Sequence, residues 1–65
     1  MTDIAMTAAL EYFPSSTWAK PTSKKYAESM GALSAFTDTD VLDALKSLRR
    51  NITRSNVTVD EIIGE

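Results

Sequence analysis

The residues able to do chemistry in this 65-residue chain are carboxylates and hydroxyls. The densest set is "TDTDVLD", residues 37–43, where Asp38, Asp40 and Asp43 crowd together as carboxylates paired for acid–base work, or for holding a hard cation, would. The run departs from a calcium loop. Its sixth position from Asp38 is Asp43 where glycine is needed, and no distal glutamate follows. The chain has no histidine and no cysteine, so its serines and threonines lack an imidazole to activate them. The same absence leaves the zinc, haem and iron–sulfur ligand sets unassembled. No glycine-rich phosphate loop occurs. "TDTDVLD" therefore reads as the start of a helix, and the chain is expected to be no enzyme, to carry no cofactor or metal, and to work by binding.

Binding residues have to be sought among apolar and charged side chains. The hydrophobic share of 43% beside 25% charged residues is that of a folding chain. No stretch approaches the roughly 20 apolar residues that span a bilayer, and no basic region precedes an apolar core at the N-terminus. A cytoplasmic protein away from the membrane is the expectation. On that reading Asn51-Ile52-Thr53 and Asn56-Val57-Thr58, which match the glycosylation sequon, are a turn and a helix cap instead. The net charge of −2 is unevenly spread: residues 14–56 carry +3, against −2 for 1–13 and −3 for 57–65. A basic middle between acidic ends suits an anionic partner or head-to-tail self-association. A mixed solvated surface is the more ordinary reading.

Four helices are expected to position these residues. "TDIAMTAALEYF" predicts a helix over 3–13, with Met6, Leu10 and Phe13 on one face, ended by Pro14. After the connector "PSSTWAKP", Thr22 or Ser23 can cap a helix over 23–30, with Gly31 as its stop. Leu33 and Phe36 have the spacing for a further turn. The clearest element is a helix over 38–50, where Val41, Leu45, Leu48 and Ile52 form one stripe. Its acidic residues lie at the start and Arg49 and Arg50 at the end, as the helix dipole favours, and Asn51 can supply a left-handed stop. "ITRSNVTV" leaves two alternatives. Ile52, Thr53 and Val57–Val59 could pair as a small β-wing. Thr58 with Glu61 instead has the form of a capping box, and Val57 with Ile62 that of a hydrophobic staple, which favours a short fourth helix. The fold class is therefore all-α: one small domain of three main helices plus a short C-terminal helix.

A core this small supplies roughly 3 to 5 kcal/mol, so a protein partner or homo-oligomer is expected to reinforce it. A six- or seven-residue helix is too short to stand alone and must dock. Val59, Ile62 and Ile63 pack either within the chain or on a partner, and Trp18 is either a lid on the core or an exposed anchor. These four are the candidate partner-binding residues of an adaptor-like or inhibitor-like interaction module. The charged amphipathic segment 56–65 resembles the toxin-binding end of small bacterial antitoxins and, less closely, phage-encoded inhibitors, which implies a protein partner. "YAESMG" and "DVLDALKSLRR" are similar to the two helices of small bacterial and phage helix-turn-helix regulators. That resemblance implies nucleic-acid binding through Lys24, Lys25, Lys46, Arg49, Arg50 and Arg54. Asp38 and Asp40 would repel phosphates where a recognition helix meets the groove, so this is the second reading. "MG", "AL" and "NVTVDEII" also resemble the landmark order of ubiquitin-associated domains, at longer spacings, and so support the compact all-helical reading.

Overall fold

The longest helix, α3 (Asp38–Asn51), is specified by its sequence from end to end. Val41, Leu45 and Leu48 are buried along one stripe, and Leu45 has no solvent exposure at all. The computed structural model describes residues 3–64 and is all-α, with no strand among the described residues. α1 (Asp3–Tyr12) leads through a 3-10 turn (Thr17–Ala19) to α2 (Tyr26–Ala32), and α4 (Val59–Gly64) follows α3.

The principal packing is α1 on α3; α4 packs on the other flank of α3, and α2 rests on the 3-10 turn. On α1 the buried residues are Ala5, Met6, Ala8 and Ala9, with Phe13 just beyond it. Alanines keep side-chain bulk out of the contact with α3, so Phe13, Met6, Leu33 and Leu45 can fill the centre. Leu10, expected on the core face, is half-buried because the alanines take that place. The Cα radius of gyration, 10.3 Å, matches the roughly 11 Å expected for a packed chain of this length.

Helix starts and stops show where local signals prevailed. α3 is capped by Thr37, whose hydroxyl accepts from the Asp40 N–H at 3.2 Å while the Asp40 carboxylate accepts from the Thr37 N–H at 3.3 Å. α4 repeats the arrangement. Its Glu61 N–H donates to Thr58 Oγ1 at 3.1 Å, and the Thr58 N–H to Glu61 Oε1 at 3.2 Å. Val57 and Ile62, the expected staple, are both in the core. The β-wing is thereby ruled out, since residues 52–58 form an irregular segment that leads into α4.

Four expected boundaries moved, the first only slightly, α1 ending at Tyr12 and not at 13. α2 begins at Tyr26 and not at 23, because Ser23 N–H donates to Lys20 O and Tyr26 N–H to Ser23 O, closing successive turns first. Ser23 Oγ caps the second of these by accepting from Lys25 N–H at 3.2 Å. Gly31 does not stop α2. The helix runs one residue further, and Leu33, anchored in the core, leaves it with right-handed φ −93°. "ALSAF" adds no helical turn of its own; Phe36 N–H closes a simple turn onto Leu33 O at 3.0 Å. Nor does Asn51 supply a left-handed stop. It is the last helical residue, its side chain donates to Ser47 O at 3.2 Å, and Ile52 leaves in extended conformation. No residue described has positive φ.

Candidate functional site: the groove between α3 and α4

The placement of α4 depends on a polar clamp between two irregular segments. Ser16 and Trp18 lie in the connector after α1, and Val57 immediately precedes the α4 cap. Val57 is buried, and its backbone has no sheet or helix to satisfy it. Side chains do so instead: its N–H donates to Ser16 Oγ at 2.9 Å, and its carbonyl accepts from Trp18 Nε1 at 2.7 Å. Beside them Ser15 N–H donates to Ser55 O at 2.8 Å, and Ser55 Oγ donates to Ser15 Oγ at 2.8 Å. Two arginines hold the rest of the segment. Arg49 Nη1 donates to Arg54 O at 3.0 Å while its guanidinium lies 5.3 Å from the Phe13 ring centre, a cation–π distance. Arg54 Nε donates to Asn56 O at 3.2 Å, and its guanidinium pairs with Glu61. That pairing, with the bonds from Thr58, holds the Glu61 carboxyl below its ordinary value of 4.5 against partial burial.

Held this way, α4 divides its apolar residues between two sides. Ile62 points into the core at 5% exposure, whereas Ile63 is 44% exposed. Between α3 and α4 runs an open groove of about 440 Å³, with Phe36, Val41, Ala44 and Ile62 along its floor, Ile63 at its edge, and Asp40, Asp43 and Ser47 on the α3 side. The start of α3 contributes Phe36, Asp40 and Val41 to it, and α4 contributes Ile62 and Ile63. "FTDTDV" and "VTVDEI" are the same signature, an apolar residue, a capping threonine, an acidic residue three further on and an apolar residue next, and the groove lies between the helices they begin.

The sequence-derived partner residues are only partly brought together. Ile63 lines the groove from outside and Ile62 from the core, while Val59, half-buried, faces a second cavity of about 350 Å³ shared with Trp18, Lys25 and Glu28. Trp18 is half-buried against the core with its N–H already engaged. Phe36, Ala44 and Asp43 were not among the partner-binding residues expected from sequence, although Phe36 is readable as the staple residue before the Thr37 cap.

The basic residues are dispersed. Lys24 and Lys25 lie just before α2, Lys46 and Arg50 on the exposed face of α3, and Arg49 and Arg54 are engaged by the segment after α3. α2 packs mainly on the 3-10 turn, whereas the two helices of a helix-turn-helix pack mainly on each other. Among the described residues no cluster of carboxylates could hold a metal, and no helix is long and apolar enough to cross a membrane. Comparison with protein-family models, curated proteins and solved structures finds no match to this chain.

Proposed function

We propose that this is a non-catalytic interaction module that presents the α3–α4 groove to a protein partner. One observation carries the reading: Ile63 stands 44% exposed at the edge of an apolar groove that is flanked by Asp40 and Asp43. An aliphatic side chain left beside further apolar surface, within a polar rim, is the anatomy of a protein contact. Exposed Ile4 on α1 also lines a cavity, of about 350 Å³, but only Ala8 and Leu42 stand beside it as apolar neighbours, against four in the α3–α4 groove. An adaptor-like, inhibitor-like or antitoxin-like role is the form we infer for a small module that works through such a contact. A bait experiment tests it. Wild-type chain and Ile63→Asp are immobilised and exposed to lysate of the native host; the reading requires a partner that the wild type retains and the variant loses, with equal melting midpoints. A partner retained equally by both would place the contact elsewhere.

A further inference from the structure

We propose that the occupant of the α3–α4 face is a second copy of this chain, docked antiparallel along α3 about a two-fold axis. This rests on the protein-binding reading above and names its partner.

The exposed face of α3 is self-complementary. Asp43 and Arg50 are both exposed and seven residues apart, which returns to nearly the same stripe after two turns. Their separation along the helix is about 10 Å. A two-fold axis crossing the stripe between residues 46 and 47 sets Asp43 of each copy against Arg50 of the other. A parallel arrangement would instead bring like charges together. Near that axis the half-buried side chains are small, Ser47 and Ala44, while exposed Lys46, on the opposite side of the stripe, meets its own copy and has to turn its flexible stem to solvent for the helices to approach within the usual 8 to 10 Å. The adjoining apolar surface, Ile63 with Phe36 and Ala44, lies on the same side of α3 as Asp43 and Ser47 and is covered in the same event. Exposed ion pairs contribute little by themselves, so Ile63 supplies attraction while Asp43 and Arg50 set register and direction. The complement to the acidic rim is thus already present on the same helix. A foreign segment of basic and apolar residues is the competing occupant.

Sedimentation equilibrium of the full chain tests this from about 10 μM to 1 mM, the range suited to a small interface. The wild type is expected to pass from monomer to dimer. Asp43→Arg and Arg50→Asp each set like charges face to face and are expected to weaken the dimer about tenfold or more, while the double variant recovers it. Ile63→Asp is expected to be monomeric, with the melt that the wild type shows at concentrations too low for it to dimerise. A wild-type monomer throughout overturns the proposal, as does a dimer that neither single exchange weakens or that the double exchange fails to restore. If the wild type is monomeric yet loses a lysate partner on Ile63→Asp, the groove reading stands and only the second copy falls.

Discussion

The indole Nε1 of Trp18 donates to the carbonyl oxygen of Val57 at 2.7 Å, joining positions 39 residues apart in the chain. Ser16 takes the N–H of the same residue, so two side chains replace the ladder partners a strand would have provided. Val57 in turn precedes the Thr58 cap, and the direction of α4 follows from it.

Removing this clamp should therefore loosen α4. Ser16→Ala leaves a buried Val57 N–H without an acceptor and is expected to cost about 1 to 3 kcal/mol. Trp18→Phe keeps much of the apolar contact while deleting the donor, and is expected to cost about 1 kcal/mol or somewhat more. Urea titrations at constant slope measure both. Wild-type midpoints would show that the clamp contributes nothing.

Each capping box should be worth a similar amount independently. Thr37→Ala and Thr58→Ala are each expected to cost about 1 kcal/mol, and together about twice that, because the sites share no partner. Strong non-additivity in the double variant would indicate that the two helix starts are coupled through the groove they enclose.

Acid should weaken the α4 start through Glu61. Its carboxyl is held below the ordinary value, chiefly by Arg54 and then by Thr58, so the unfolded chain takes up a proton first as pH falls. The stabilisation is complete above about pH 4.5 and is lost as pH drops through the lower folded value. Glu61→Gln is expected to flatten the stability–pH curve in that acid window and nowhere above it. A variant curve parallel to the wild type below pH 4.5 would contradict this.

Gly31 offers a gain. It lies inside α2 without positive φ, and a Cβ there would meet nothing within 4 Å. Gly31→Ala is expected to stabilise the fold by about 0.5 to 1 kcal/mol, since alanine loses less backbone freedom in a helix. At this chain length that is a rise of a few degrees in the melting midpoint, roughly 2 to 8 °C, readable by circular dichroism. A lower midpoint would mean that α2 needs the flexibility.

What the sequence made legible was local. The Val41–Leu45–Leu48 stripe and the Thr58–Glu61 box depend on spacings of three and four residues, which a helix converts directly into contacts. The start of α2 was misplaced because Ser23 could serve either as a helix cap or in a turn, and the turns at 20–26 took it. The clamp could not be read at all. Ser15 and Ser16 look like any loop residues, Trp18 stood out only as a large apolar side chain, and their partners lie about 40 positions away, where no periodicity connects them. The same limit applied to the groove. Val59, Ile62 and Ile63 were identified as one apolar trio, but only the angle at which Val57 admits α4 decides that Ile62 turns inward and Ile63 outward.

The central claim is that the surface between α3 and α4 is where this protein makes its contact. Amide chemical-shift mapping tests it most directly, with the isotope-labelled chain titrated by the partner that the wild-type bait retains, or by its own unlabelled copy where that partner is itself. The predicted result is a contiguous set of shifting amides at Phe36, Asp43, Ala44, Ser47 and Ile63, with Lys24 and Lys25 unmoved. Shifts concentrated instead around Lys24, Lys25 and the outer face of α2 would contradict the account.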